Sequence, residues 1–351
     1  MSLNTISGIA IKGISVCTPK TVESNEGLSI PNSDLTKLIK TTGIEERRIS
    51  GAAICTSDLC ISAANDVINS MAINRADIGV MVFVTQTPDY SIPSTAHILQ
   101  NRLQLEKDCI VFEVNEGCSG YVYGLFMISS LLKSINKEIG LLLVGDTISK
   151  VCGTQDKSTR PLFGDAGTAT ILSKASEDNL FHFNIGGDGS SYHDIIINGG
   201  RSRMPFSKTS LEDKETEGNI RNETNLSLDG MNVFLFGISL VPRVVKETLA
   251  DLGMEVEEID YFVFHQANMM MNEKIRKKLK IPAEKVPYSL KEYGNTSCST
   301  IPITIASKLS KEVSSTKNKF IFCGFGVGVS WGVLQCDLEP LAHINIIEYA
   351  D

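Results

Sequence analysis

The sequence predicts an α/β fold made of two similar halves packed together. Three features carry that expectation. Short β-branched runs alternate with helical stretches: VMVFVTQT (80–87), IVFEV (110–114), LLLVG (141–145), YFVFH (261–265) and FIFCG (320–324). Such alternation marks βαβ units with strands buried on both faces. A weak internal echo recurs at roughly 180 residues, the mark of a duplicated domain and not of a solenoid. In it RADIGVMVFVTQTPDY (75–90) resembles EEIDYFVFHQANMM (257–270), and FGDAGTATIL (163–172) resembles GFGVGVSWGVL (324–334). Finally, 351 residues exceed one ordinary hydrophobic core. The expected division is 1–175 and 176–351, with a polar, aperiodic surface insertion at about 201–226.

Composition narrows the function. With 42% hydrophobic and 21% charged residues the chain is globular, and a net charge of −8 without a basic cluster argues against nucleic acid as a partner. No run approaches the roughly 18 apolar residues of a membrane helix, and the N-terminus lacks a signal-peptide pattern, so no membrane association and a cytoplasmic location are expected. The nine cysteines form neither a CxxC pair nor a Cys/His quartet. Reduced thiols and no metal are therefore expected.

Taken in order, the first chemistry-bearing segment is NEGCSGYVYGLFMISSLL (115–132). The strand IVFEV enters a small-residue turn at Gly117–Gly120 and then an almost wholly apolar helix. A thiol at Cys118 would sit at a helix N-terminus, where free N–H groups and the macrodipole favour thiolate. The bland alternative is an inert core cysteine. Next, His265 ends the strand YFVF, where parallel sheets keep reactive groups. It reads equally as a buried, hydrogen-bonded histidine. In KEYGNTSCSTIPITIASKL (291–309), Asn295 lies 177 residues after Cys118, near the repeat offset, so duplication would bring both turns to one axis. As a plain helix cap it would need no other role. The glycines of CGFGVGVSWGVLQC (323–336) suit a backbone oxyanion donor or a hairpin, and they match no nucleotide fingerprint.

Together TGIEERRI (42–49), TPDYSIPST (87–95), GCSGYVYGL (117–125), FGDAGTATIL (163–172), HQAN (265–268), YGNTS (293–297) and GFGVGVSWG (324–332) resemble the β-ketoacyl-acyl carrier protein synthase III family of the thiolase superfamily. The resemblance spans nearly the whole chain. It implies a thiolase-like five-layered αβαβα fold, a homodimer, and a catalytic set mapping to Cys118, His265 and Asn295. Cys118 would take an acyl group from a thioester, with the backbone N–H groups of Cys118 and Val327 as the oxyanion hole. His265 and Asn295 would stabilise the enolate left when a malonyl-carrier thioester loses carbon dioxide. Acyl carrier protein is the implied partner. Substrates would be acyl-coenzyme A or acyl-carrier thioesters and malonyl-carrier protein, with no further cofactor.

Departures from the family pattern concern the substrate. Where relatives grip the coenzyme A nucleotide, this chain offers Lys37, Thr41 and Lys157, with Asn268 a further candidate contact. Met270 stands in place of a carrier-contacting arginine, for which Arg160, Lys274 or Arg276 would substitute. Ile92 maps to a position capping the acyl pocket across the dimer interface and implies a chain longer or more branched than acetyl. Glu116 replaces a small apolar residue; near Cys118 its carboxylate would raise the thiol pKa or act as a base, and a solvated or hydrogen-bonded structural role is expected. Competing readings are acyl transfer to oxygen or nitrogen without decarboxylation, a Cys–His–Asn hydrolase with His265 bonded to Cys118, and a non-catalytic partner chain.

Overall fold

Two mixed β-sheets organise the chain. The computed structural model describes residues 3–28, 32–216 and 218–350. In the first half run β1 (Asn4–Ser7), β2 (Ile9–Thr18), α1 (Asn32–Thr42), α2 (Thr56–Ser70), β3 (Ile78–Val84), α3 (Thr95–Arg102), β4 (Ile110–Val114), α4 (Gly120–Ser134), β5 (Ile139–Asp146) and β6 (Ala166–Lys174). In the second run β7 (Leu180–Gly187), α5 (Gly230–Leu252), β8 (Tyr261–Phe264), α6 (Met269–Lys278), α7 (Leu290–Tyr293), α8 (Thr300–Lys308), β9 (Asn318–Gly326), β10 (Ser330–Leu338) and β11 (His343–Glu348).

The six-stranded sheet has the order β11-β2-β6-β5-β3-β4 and the five-stranded sheet β1-β7-β10-β9-β8. The duplication is visible in these orders. In the first half the opening strand β2 runs antiparallel to β6, β6 antiparallel to β5, and β5 parallel to β3. In the second, β7, β10, β9 and β8 repeat the same order and directions. Both sequence echoes fall on equivalent strands, β3 with β8 and β6 with β10. The chain crosses between sheets in the turn at Ala175–Asn179. Each terminus, however, lies in the other half's sheet: β1 pairs with β7 and β11 with β2.

Between the sheets lie α4 and α8. Tyr121, Val122, Leu125, Ile128 and Leu132 of α4 and Ile301, Ile303 and Ile305 of α8 join residues of both sheets in one buried cluster. Enclosure on every side explains why neither helix has a polar stripe. A second cluster packs α2 and α3 on the outside of the first sheet, and a third packs α5 and α6 on the outside of the second. The result is five layers, αβαβα. The insertion at 201–226 forms a small hairpin, Lys214–Thr216 with Asn219–Arg221. Its end is not a surface excursion, because Leu226 is buried in a cluster with Ile148, Cys152 and Phe163.

The TGIEERRI segment is structural. Arg47 is 0% exposed and donates to Asn25 Oδ1, the Arg160 carbonyl and Glu23, whose carboxylate also binds Arg160. Glu23→Ala would remove the carboxylate shared by two guanidinium groups, one of them fully buried. Loss of one partner of a buried pair costs about 3 kcal/mol. A clear fall in Tm by calorimetry is expected, and an unchanged Tm would refute this role.

Candidate active site

Cys118 occupies the turn between β4 and α4 and is 7% exposed. Two glycines from the other half make that turn possible. A Cβ on Gly324 would lie 2.6 Å from Ser119 Cα, and one on Gly326 would lie 2.6 Å from Cys118 Cβ and 2.7 Å from its Sγ. The Gly-rich segment therefore wraps the nucleophile turn at a distance only glycine permits. The backbone N–H groups of Val327 and of Cys118 itself both interact with the sulfur. They do not outweigh burial, which pushes the thiol up to about 12. The expected lowering by the helix N-terminus is thus reversed, because desolvation of the thiolate is the larger effect.

His265 follows β8 directly, its N–H bonded to the Cys323 carbonyl of β9 at 2.8 Å. Its carbonyl accepts from Asn272 Nδ2 at 3.0 Å. Gln266 bonds the Phe264 carbonyl and the Ser289 N–H, which fixes the turn from both sides. The ring meets Phe325 edge-on, 5.6 Å between centroids, and Nδ1 lies 2.8 Å from Thr300 Oγ1. Thr300 Oγ1 is also 3.1 Å from the Ser297 carbonyl. Its single proton serves one acceptor at a time, so the hydroxyl orientation and the histidine tautomer are a single choice. Burial pushes the imidazole down to about 3, so it is neutral in the resting site.

Asn295 is held by the FGDAGTATIL segment. Its N–H donates to the Leu162 carbonyl at 2.8 Å and its carbonyl accepts from Gly164 N–H at 3.0 Å. Asn295 Oδ1 accepts from Ser297 N–H at 2.9 Å, which orients the amide. These pairings are not those of a Cys–His–Asn hydrolase: the group on His265 Nδ1 is Thr300, and Asn295 Oδ1 is taken by Ser297.

Cys118, His265, Asn295 and Val327 all line one cavity of about 190 Å³. Asn268 lines it too while capping α6, its Oδ1 accepting from Met271 N–H at 2.8 Å. Gln86, Ile148, Ile195, Leu226 and Val327 are shared with an adjoining cavity of about 560 Å³. Gln86 was not singled out by sequence, although it is the repeat equivalent of Gln266. Thr300 and Asp146 were missed as well, since each acts through folding contacts and not through a motif.

The other expected residues lie elsewhere. Lys157 is exposed on a groove of about 660 Å³ shared with Glu23, Asp156, Arg160 and Glu215, and Lys37 is exposed on α1. Of the expected substitutes for the missing arginine, Arg160 is bound to Glu23 and Arg276 to Glu273, while Lys274 sits 4.9 Å over the Phe234 ring. Two of the three charges are therefore already neutralised within the chain. Ile92 is 88% exposed and lines neither cavity beside Cys118. It does not reach this chain's own acyl site. Glu116 is hydrogen-bonded to Ser119 and Ser330, as its expected structural role requires. Among the described residues no cluster of three or more His, Cys, Asp or Glu suits a metal, and no helix is long and apolar enough to cross a membrane.

Family models for 3-oxoacyl-[acyl-carrier-protein (ACP)] synthase III match residues 112–189 and, for its C-terminal part, 249–337. The β-ketoacyl-[acyl-carrier-protein] synthase III of Clostridium perfringens is 32% identical, the match covering 91% of this chain and 96% of that protein. The chain belongs to the 3-oxoacyl-[acyl-carrier-protein] synthase III family. A solved 3-oxoacyl-(acyl-carrier protein) synthase from Burkholderia xenovorans superposes with TM-score 0.93 at 34% identity, covering 99% of both chains. A second solved 3-oxoacyl-(acyl-carrier-protein) synthase III gives 0.88 at 35% identity, covering 94% of this chain and 99% of that one. The family is one of acyltransferases, and the thiolase-like fold accords with the layers described above.

Two outcomes follow from this geometry. Gly326→Ala is expected to keep the fold by circular dichroism while slowing Cys118 acylation about a hundredfold or more, because the Val327 N–H is displaced. Alkylation of Cys118 by iodoacetamide is expected to climb about tenfold per pH unit from about pH 7 to 10 without a plateau, since only thiolate reacts. A plateau below pH 9 would contradict the burial effect.

Proposed function

We propose that this chain catalyses a decarboxylative Claisen condensation of an acyl thioester primer with malonyl-acyl carrier protein, in accord with the 3-oxoacyl-[acyl-carrier-protein] synthase names of its relatives. The observation that carries the reading is the convergence of Cys118, His265 and Asn295 on one cavity, with two backbone N–H groups at the thiol.

In the first half-reaction the Cys118 sulfur attacks the primer's thioester carbonyl. The oxyanion is received by the Cys118 and Val327 N–H groups, and the carrier thiol departs with the proton that Cys118 loses. In the second, the malonyl thioester loses carbon dioxide, and its enolate oxygen is held by the Asn295 amide and by His265. For His265 to donate, its proton must sit on Nε2, which the Thr300 hydroxyl secures by turning to Nδ1. The carbanion attacks the Cys118 thioester, the tetrahedral oxyanion uses the same N–H groups, and collapse releases a 3-oxoacyl thioester and expels Cys118 as thiolate, which takes one proton from solvent to restore the thiol. Transfer to an oxygen or nitrogen acceptor needs no enolate site, so the placing of His265 and Asn295 favours condensation.

Fatty acid initiation or a specialised pathway is the setting this supports, with no further cofactor and a cytoplasmic location. Tyr90 and Ile92 are exposed apolar residues, as is Phe206 on the 560 Å³ cavity, which suits a homodimer in which Ile92 closes the partner's acyl chamber. The primer donor is coenzyme A or a carrier protein. Candidate contacts for the donor are Lys157, exposed on the large groove, Lys37, exposed on α1, and Asn268, which lines the Cys118 cavity.

Intact-mass analysis with acyl-coenzyme A thioesters from acetyl to about twelve carbons, and then with the carrier-bound forms, tests the first half-reaction. A single acyl adduct on Cys118 is expected, and its absence with both donor types would sink the proposal. His265→Ala is expected to keep acylation within a few-fold while lowering malonyl decarboxylation about a thousandfold. Because the histidine is already neutral, the decarboxylation rate of the parent should show no break near pH 6.5.

A further inference from the structure

We propose that Glu116 is a positioning residue that clamps the Gly-rich loop carrying Val327 onto the nucleophile turn. The inference rests on the reading above that the Val327 and Cys118 N–H groups receive an acyl oxyanion.

The loop from Gly326 to Val329 has two glycines, and of its two side chains Val329 is buried and Val327 half-buried. One edge is tied by backbone bonds with Asp188, from Asp188 N–H to the Val329 carbonyl at 2.7 Å and from Val329 N–H to the Asp188 carbonyl at 3.1 Å. The other edge depends on Ser330. Its Oγ lies 2.8 Å from the Val327 carbonyl and 2.6 Å from Glu116 Oε1, and its single proton serves one of these acceptors at a time. The same carboxylate oxygen accepts from Ser119 Oγ at 2.8 Å, and the two serine oxygens are 2.6 Å apart. Ser119 is wholly buried and immediately follows the nucleophile. Glu116 thus joins the residue after Cys118 in one half to the residue three beyond Val327 in the other. It does so through bonds to a charged acceptor, which are stronger than bonds between neutral groups.

The clamp has a cost. Behind the loop Glu116 borders a cavity of about 370 Å³ with Tyr123 and Asp188, close enough to Cys118 that its negative charge opposes thiolate formation. Geometry and charge therefore act in opposite directions on the same cysteine, and that opposition makes the role measurable. Alkylation by iodoacetamide is a displacement that needs thiolate but no oxyanion site. Acylation by an activated aryl ester such as p-nitrophenyl butyrate needs both.

Glu116→Ala, Glu116→Gln and Ser330→Ala should be compared with the parent by alkylation rate and by the nitrophenol burst. Glu116→Ala is expected to alkylate at least as fast as the parent and to acylate about tenfold or more slowly, because the donor is misplaced by a fraction of an ångström. Glu116→Gln keeps an acceptor oxygen for both serines and should recover most of the lost burst rate. Ser330→Ala should slow the burst without changing alkylation. If Glu116→Ala acylates as fast as or faster than the parent, the carboxylate acts only through its charge and the clamp is refuted. A parallel fall in both reactions would mean collapse of the turn and would refute it too. Parent protein giving no ester burst would overturn the oxyanion site itself. A burst with the ester but no adduct from any acyl thioester would leave the clamp standing and reject the proposed primer donors.

Discussion

The reacting end of the molecule hangs on one buried carboxylate. Asp146, the last residue of β5, is wholly buried. Its Oδ1 accepts from Thr85 Oγ1 at 3.0 Å, Gln86 N–H at 2.7 Å, Thr87 N–H at 3.1 Å and Thr87 Oγ1 at 2.9 Å. The Cys298 thiol lies 3.3 Å from Oδ2. Burial raises this carboxyl and the donors lower it, the balance a desolvated acid requires if it is not to be expelled from the core. Through these bonds Asp146 fixes the segment that carries Gln86 to the cavity and reaches the turn that carries Asn295. The two halves are thereby tied together beside the turn that opens α4.

Duplication then explains why one site holds unlike chemistries. The helices α4 and α8 are repeat equivalents, and their N-terminal turns meet between the sheets, where a Cβ on Gly120 would lie 3.2 Å from Cys298 Cβ. One turn carries Cys118 and the other Asn295. Likewise MVFVTQ (81–86) and YFVFHQ (261–266) are equivalent strand ends. The first places Thr85 on Asp146, a purely structural contact. The second places His265 on the cavity. The same scaffold position is thus a structural contact in one half and lines the cavity in the other.

Much of the fold was legible in the sequence because the strands are buried on both faces and read as continuous apolar runs, as β3 and β5 do. The five layers were legible only through the family resemblance, since periodicity cannot say which helix lies between two sheets. Crossing of the termini was not legible either. β1 and β11 are short and close the opposite sheets, and nothing local to Asn4–Ser7 or His343–Glu348 names a partner strand. At the site, Cys118, His265 and Asn295 were found because each belongs to a motif. That Arg160 and Arg276 are already ion-paired, with Glu23 and Glu273, was not legible, since ion pairing depends on neighbours distant in the chain.

By itself, then, the sequence determined the residue types at the reacting centre, the glycines that let backbone approach a cysteine, and the repeat that brings two turns to one axis. Those are local or periodic properties, written in spacing and side-chain size. Only the tertiary structure decided the electrical state of the site. Cys118 stands at a helix N-terminus, which favours thiolate, yet burial holds it protonated, and the same burial keeps His265 neutral. Desolvation depends on what surrounds a group on every side, and that is settled only when both halves close over it.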